Sequence, residues 1–123
     1  MKKILIIIFT IINFEAFCEE LKTNFTIEVF EKAQKNGKTV VVYSWNKYCT
    51  TCAKQKPILL QAEKDFKDFL FLNYEQTEHE NIAKFLNISY WSTIAVYKNN
   101  KQVSEAIGIS NKDEIYTLIK KGI

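Results

Sequence analysis

The sequence predicts an α/β domain with a central mixed β-sheet flanked by helices on both faces. Three features support this: continuous β-branched runs typical of buried strands, helical apolar patterns between them, and a hairpin near the C-terminus. Alternating helices and strands favour parallel pairing, whereas a hairpin adds an antiparallel pair, so the sheet is mixed. The 123 residues, of which 47% are hydrophobic, suffice for one domain with a modest core.

The N-terminus has the pattern of a signal peptide. A basic start, Met1–Lys3, precedes an apolar run over Ile4–Ile12 that is shorter than the ~20 residues of a membrane-spanning helix. Small residues then occupy the −3 and −1 positions of a signal-peptidase site that ends with Cys18. We therefore expect residues 1–18 to be a signal peptide and residues 19–123 to form the domain, with no stable membrane insertion after cleavage. A buried helix, an uncleaved anchor or a lipoprotein are the alternatives.

The first half of the domain is predicted to be helix, strand, helix. Apolar residues recur at helical spacing over Thr26–Asn36, and Gly37 suits the C-terminal cap of that helix. The β-branched run Thr39–Tyr43 is typical of a strand buried on both faces. A second helix is expected from the cysteines to about Asp65, with a kink at Pro57.

The second half is predicted to be strand, helix, strand, strand, helix. Phe69–Asn73 is an apolar strand, and Glu78–Leu86 has the spacing of an amphipathic helix. The segments Thr93–Tyr97 and Gln102–Ile107 flank an asparagine-containing turn, as in a hairpin. A capping box that begins at Ser110 is expected to open the last helix.

Two cysteines lie between the first strand and the second helix, as Cys49-Thr50-Thr51-Cys52. At this spacing they can close a small disulfide or supply two ligands to one metal ion. Once residues 1–18 are removed, no further cysteine remains, which excludes a structural disulfide framework. All 17 basic residues are lysines scattered among acids, so the sequence gives little support to nucleic-acid binding.

The arrangement resembles the thioredoxin family. A CxxC pair between a buried strand and a helix, in an α/β chain of this size, carries the resemblance. Trp45 lies four residues before Cys49, and Pro57 lies five residues after Cys52, as in that family. The hairpin turn and the entry to the last helix at Gly108 match it too. The resemblance covers nearly the whole mature chain and implies the thioredoxin fold.

The resemblance implies a thiol–disulfide oxidoreductase with Cys49 as the nucleophile and Cys52 as the resolving cysteine. Free N–H groups and the helix dipole would stabilise a Cys49 thiolate, and Cys52, expected to be less exposed, would attack the mixed disulfide. The hydroxyls of Thr50 and Thr51 are placed to bond either sulfur. No cofactor is implied, and the partners are protein thiols or disulfides and an upstream electron donor or acceptor.

Three positions depart from the family pattern. Tyr43 and Phe71 replace a buried acid and its lysine partner, so the usual base for Cys52 is absent, and water or the Tyr43 phenol would assist. The third departure is the substrate-facing loop Trp91–Thr93, where the family has a cis-proline immediately before the threonine. A cis bond before Ser92 costs about 3 kcal/mol more than a trans bond, so a trans bond is expected.

Aromatic residues surround the predicted site. Tyr48, Tyr90, Trp45 and Trp91 either form an apolar platform for a protein partner or pack in the core and rim. Glu75 and Lys47 could tune the local electric field, but a surface role is expected for each.

Alternative functions use the same residues. Cys49 and Cys52 could bind zinc or copper, although no sequence spacing links the single histidine, His79, to them and no metal site is assigned. The chain could also be a non-catalytic binding module with the same fold, which the intact cysteine pair argues against. We favour an exported reductase, in a bacterial periplasm, because oxidising relatives carry a large helical insertion that this short chain lacks.

Overall fold

The helices and strands of the protein occur in the predicted order. A computed structural model describes residues 21–123, so the expected signal peptide, residues 1–18, lies outside the described residues. The elements are α1 (Ile27–Lys35), β1 (Val40–Trp45), α2 (Thr50–Asp65), β2 (Leu70–Glu75), α3 (Glu80–Leu86), β3 (Thr93–Lys98), β4 (Lys101–Ile107) and α4 (Lys112–Lys120). None of the helices within residues 21–123 combines the length and apolarity needed to cross a bilayer.

The strands form one mixed sheet in the order β2-β1-β3-β4. β1 runs parallel to β2 and antiparallel to β3, and β3 and β4 form the predicted antiparallel hairpin. The hairpin turn is made by Asn99 and Asn100, whose φ angles are 53° and 63°. Two residues with positive φ are what a type I′ turn requires, and asparagine tolerates this conformation. The predicted mixed sheet is therefore confirmed.

Helices cover both faces of the sheet, as predicted. Val40 and Val42 point to one face and Val41 to the other, because successive strand side chains alternate. On the first face the valines pack with residues of α1 and α3, which include Phe30, Ala33, Ile82, Ala83 and Leu86. On the second face the packing residues come from α2 and α4 and include Leu59, Ala62, Ile115, Leu118 and Ile119. β1, an inner strand of the sheet, is therefore packed on both faces, as the β-branched run predicts.

The last helix begins differently from the prediction. The N-cap of α4 is Asn111, whose Oδ1 accepts hydrogen bonds from the backbone N–H groups of Asp113 (2.8 Å) and Glu114 (3.3 Å). Asparagine satisfies these free N–H groups as well as serine does. The predicted capping box at Ser110 is therefore wrong by one residue.

The segment before α1 covers the outer edge of β2. The backbone N–H groups of Asn24 and Phe25 both donate to the carbonyl of Asn73 at 3.1 Å, and Asn24 Oδ1 accepts from Asn73 N at 2.7 Å. Further along β2, Glu75 N donates to Thr23 Oγ1 at 3.0 Å. These bonds satisfy an edge that would otherwise be open, and they bring residues 21–23 to the end of the sheet where the cysteines lie.

Candidate active site

The two cysteines lie at the N-terminus of α2 and form a disulfide, with their Cα atoms 5.2 Å apart. Cys49 is the N-cap residue, and its Sγ accepts a hydrogen bond from the backbone N–H of Cys52 at 3.1 Å. The sulfur thus occupies the position where a helix has free N–H groups and the positive end of its dipole. In the reduced protein this position favours a thiolate at Cys49.

The cysteines are equally buried, each with 7% of its surface exposed. The expectation that Cys52 is less exposed than Cys49 is therefore wrong, because the disulfide holds both sulfurs in one small ring at the helix end. Thr50 is exposed and Thr51 is half-buried. Among the described residues, neither threonine hydroxyl forms a hydrogen bond to a cysteine sulfur. Pro57 lies inside α2, and its side chain is exposed.

A groove with a volume of about 620 Å³ opens beside the disulfide and is lined by both cysteines. Trp45 and Ala53 are among its apolar lining residues, and Lys47, Glu75 and His79 are among its polar ones. His79 therefore shares a groove with the cysteines, although its position in the sequence suggested no link. The described part of the chain contains no group of three or more His, Cys, Asp or Glu side chains that could hold a metal ion. A zinc or copper site would have to recruit further ligands.

Glu75 is buried at the end of β2, with 3% of its surface exposed, so the expected surface role is wrong. Its carboxylate accepts hydrogen bonds from Asn46 Nδ2 (2.6 Å), Thr77 Oγ1 (2.8 and 2.9 Å) and the backbone N–H of Glu78 (2.6 Å). Burial raises the pKa of Glu75, but these hydrogen bonds outweigh burial and bring its pKa below the usual value. Glu75 is therefore a fixed negative charge beside the groove. Its carboxylate binds the N–H of Glu78, and α3 begins at Glu80, two residues later than the predicted start at Glu78.

Trp45 is half-buried and forms one wall of the groove. Its indole Nε1 donates to Asn73 Oδ1 at 2.8 Å, and Asn73 Nδ2 in turn donates to Asn24 Oδ1 at 3.2 Å. This chain of bonds fixes the orientation of the indole ring.

Tyr43 and Phe71, which replace the acid and lysine of the family pattern, belong to the same apolar cluster between the sheet and α2. Two buried aromatic side chains of one apolar cluster therefore stand at the positions of the acid and the lysine. Burial raises the pKa of Tyr43, and the negative charge of Glu63 raises it further. The phenol stays protonated at neutral pH and is not a proton acceptor.

The loop before β3 carries an unusual backbone conformation at Ser92. The described peptide bonds include no cis bond, so Trp91–Ser92 is trans, as expected, and Ser92 has a φ of 57°. Ser92 N donates to the carbonyl of Ser44 at 2.9 Å, and the carbonyl of Ser92 accepts from Gly108 N at 3.0 Å and Gln55 Nε2 at 3.1 Å. The next residue, Thr93, is buried.

Three large aromatic side chains are exposed in the segments that precede Cys49 and β3. Tyr48, Tyr90 and Trp91 have 78%, 64% and 42% of their surfaces exposed, and Lys47 Nζ lies 5.2 Å above the ring of Tyr48. These three rings are not core residues, which favours the platform interpretation over core packing. Trp45 differs, since its hydrogen bond and partial burial give it a structural role as well.

Sequence reasoning missed three polar residues that shape the site: Asn46, Gln55 and Glu75. Gln55 had a usable signal, since it shares a helical face with Cys52, Leu59 and Ala62, and a polar residue on an apolar stripe indicates a buried hydrogen bond. Asn46 and Glu75 had no such signal, because their contact joins residues far apart in the sequence.

Comparison with known proteins supports the family that the CxxC pair and its surroundings indicate. The thioredoxin family model matches residues 17–121. A thioredoxin of Mycoplasma genitalium is 30% identical over 99 residues, covering 80% of this chain and 94% of the relative. A thioredoxin of Rickettsia felis is 28% identical over 105 residues, covering 84% and 100%. The solved structure of Trxlp from Edwardsiella tarda superposes with a TM-score of 0.72 at 22% identity, covering 77% of this chain and 94% of that one. The chain belongs to the thioredoxin family and is a thiol–disulfide oxidoreductase of the protein-disulfide reductase type.

Proposed function

We propose that the protein is exported and reduces protein disulfides with Cys49 as the attacking cysteine and Cys52 as the resolving one. The observation that carries this assignment is the position of Cys49 Sγ, which caps α2 and accepts from Cys52 N at 3.1 Å. A thiolate at that atom is stabilised by the helix N-terminus, whereas Cys52 lies within the first turn.

The reaction proceeds in two exchanges. The Cys49 thiolate attacks one sulfur of the substrate disulfide, so that a mixed disulfide forms and the other substrate sulfur leaves as a thiolate. Cys52 then loses its proton and attacks Cys49 Sγ, which forms the Cys49–Cys52 disulfide and releases the second substrate thiolate. The two substrate thiolates take up protons, and the protein has passed two electrons to the substrate. An upstream dithiol reductant must restore the reduced pair.

Water is the proton acceptor for Cys52. Tyr43 keeps its proton because burial raises its pKa, and Glu75 is a weak base because hydrogen bonds lower its pKa. The groove beside the disulfide is lined by Cys52 and is large enough to admit water.

The exposed aromatic rings in the segments before Cys49 and before β3 favour a protein substrate over a small molecule. Tyr48, Tyr90 and Trp91 offer apolar surface to a polypeptide, and aromatic residues of this kind are enriched where proteins bind one another. No cofactor takes part, since the electrons pass directly between sulfurs.

Export is proposed from the N-terminal sequence pattern. The basic start, the apolar run over Ile4–Ile12 and the small residues before Glu19 have the form of a signal peptide. We propose cleavage after Cys18 and a periplasmic location. Intact mass measurement of the protein from a periplasmic fraction should give a chain that begins at Glu19. A mass that retains Cys18, with or without a lipid, would overturn the cleavage site.

Reduction of insulin, with dithiothreitol as the electron source, tests the activity. The wild-type protein should accelerate insulin reduction, and Cys49→Ser should abolish the acceleration. When the reduced protein is freed of dithiothreitol and then mixed with insulin, Cys52→Ser should accumulate a mixed disulfide with insulin through Cys49, detectable by mass spectrometry. The assignment of roles is wrong if Cys49→Ser accumulates the mixed disulfide instead. Purified protein that holds stoichiometric zinc or copper and does not reduce insulin would favour the metal-binding alternative.

A further inference from the structure

The loop Trp91–Thr93, at the start of β3, is held in a conformation that its own sequence disfavours. Ser92 has a φ of 57°, a left-handed conformation that crowds the Cβ of any residue other than glycine. It lies buried and is followed directly by β3. Contacts from the rest of the fold must therefore hold the loop in place.

β1 holds one side of this loop. Ser44 Oγ donates to the carbonyl of Tyr90 at 2.7 Å, and Ser92 N donates to the carbonyl of Ser44 at 2.9 Å. Thr93 Oγ1 also donates to the carbonyl of Tyr90, at 2.7 Å. These bonds align the loop with the sheet but do not connect it to the helix that carries the cysteines.

Gln55 provides that connection. It lies in α2, three residues after Cys52, with 2% of its surface exposed. Its Nε2 donates to the carbonyl of Ser92 at 3.1 Å and to the carbonyl of Ile109 at 2.8 Å. Both amide hydrogens are therefore used, one on the loop before β3 and one on the connection that follows β4.

The two acceptor segments are also bonded to each other. Gly108 N donates to the carbonyl of Ser92 at 3.0 Å. The side chain of Gln55, three residues after Cys52, thus joins three segments: the start of α2, the loop Trp91–Thr93 and the residues Gly108–Ile109. A shift of the loop relative to Cys52 would break at least one of these buried hydrogen bonds, which is costly.

We propose that Gln55 is a positioning residue that sets the loop Trp91–Thr93 against the disulfide for protein substrates. The proposal rests on the proposed function, since the loop matters only if a polypeptide docks beside Cys49. A small disulfide needs access to the sulfur alone, whereas a polypeptide also contacts the loop. Loss of the Gln55 bonds should therefore impair protein substrates selectively.

The test compares the reduction of two substrates by the whole domain, residues 19–123. Gln55→Met keeps the length of the side chain but removes both donors. Gln61→Met is the matched control, because Gln61 on the same helix is exposed and donates to the neighbouring side chain of Asp65. For Gln55→Met we expect the KM for insulin to rise about 10-fold, since two buried hydrogen bonds are lost, with kcat within about twofold. The rate with dithiobis(nitrobenzoate), a small disulfide, should stay within about twofold for both variants.

Amide hydrogen exchange measured by NMR gives a readout that does not depend on activity. In Gln55→Met the amides of Ser92 and Gly108 should exchange about 10-fold faster, while that of Val41 in the core strand stays unchanged. Gln55→Asn, which is one methylene shorter and does not span the two carbonyls, should give the same pattern if Gln55→Met does not fold.

Two results would overturn the proposal. One is a folded variant with unchanged exchange at Ser92 and Gly108 and an unchanged KM for insulin. The other is an equal loss of rate with insulin and with the small disulfide, which would assign Gln55 to the general integrity of α2. If the wild-type protein reduces neither substrate, the proposed function fails, and the exchange measurement still decides whether Gln55 holds the loop.

Discussion

The side-chain amide of Asn46 donates a hydrogen bond of 2.6 Å to the buried carboxylate of Glu75. Asn46 directly follows β1, and Glu75 ends β2, so the bond joins the carboxyl ends of two parallel strands. Asn46 also accepts at Oδ1 from Tyr48 N (2.9 Å), and its carbonyl accepts from Cys49 N (3.1 Å). One asparagine therefore anchors the segment that carries the attacking cysteine to a fixed negative charge on the neighbouring strand.

Asn46→Ala should destabilise the protein and loosen the segment before Cys49. A hydrogen bond to a buried carboxylate is lost, so we expect the free energy of unfolding to fall by about 2 kcal/mol. Urea denaturation measures this change. Asn81→Ala, at an exposed position of α3, is the control and should stay within about 0.5 kcal/mol of wild type. An equal effect of both substitutions would contradict the anchoring role of Asn46.

Glu75→Gln should remove part of the acid sensitivity of the fold. In the folded protein the pKa of Glu75 lies below its usual value, because hydrogen bonds from Thr77, Glu78 and Asn46 outweigh burial. The folded state therefore binds the proton less readily than the unfolded state. The stabilisation is present above the unfolded pKa of about 4.3 and is lost as the pH falls through the lower, folded pKa.

Urea denaturation at several pH values tests this linkage. At neutral pH, Glu75→Gln should be less stable than wild type by about 2 kcal/mol. The substitution replaces one carboxylate oxygen with an NH2 group, whose hydrogens face the donors that surround the carboxylate. The difference should shrink as the pH falls below the unfolded value of about 4.3 and through the lower pKa of the folded state, where the wild-type carboxylate becomes protonated. Glu31→Gln, at an exposed site on α1, should show little difference at any pH. A gap between wild type and Glu75→Gln that does not change with pH would refute the linkage.

Ser92→Gly should stabilise the protein. A residue with a Cβ loses about 1–2 kcal/mol in the left-handed region where Ser92 lies, and glycine avoids this cost but loses more chain entropy on folding. We expect a net gain of about 0.5–1 kcal/mol in the free energy of unfolding. Ser110→Gly, at an exposed position without positive φ, should give no gain. Thermal and urea denaturation of both variants would show whether the strain at Ser92 is real.

Much of the fold was predictable because its signals are local. The β-branched run around Val41 identifies a strand buried on both faces, and the asparagines of the 99–100 turn identify a hairpin. Cys49 and Cys52 were identifiable for the same reason, since they lie three positions apart, with two residues between them.

The supporting residues of the site were less predictable because they act over long sequence distances. The bond from Asn46 to Glu75 spans 29 positions, and that from Gln55 to Ile109 spans 54. No local pattern encodes which polar groups will meet when β1, β2 and α2 pack together. The prediction of the α4 cap was wrong for a local reason. Ser110 and Asn111 are both good capping residues, and only the backbone geometry distinguishes them.

Tyr43→Phe should leave the reaction unchanged, although Tyr43 occupies the position of the family's buried acid. Burial and the charge of Glu63 raise the pKa of the phenol, so it keeps its proton throughout the neutral range. A group that does not lose its proton does not serve as the base for Cys52. The rate of insulin reduction by Tyr43→Phe should therefore stay within about twofold of wild type, with the same dependence on pH.

The matched control is Tyr116→Phe. Tyr116 lies in α4, and its hydroxyl donates at 2.6 Å to Asp65, the last residue of α2 and the end of that helix away from the cysteines. Both variants should behave alike in the insulin assay if water accepts the proton from Cys52. A selective loss of about 10-fold in Tyr43→Phe, with a displaced pH profile, would show instead that the phenol takes part in proton transfer at Cys52. In that event the pair of aromatic residues at positions 43 and 71 would replace the chemistry of the family's charged pair as well as its packing.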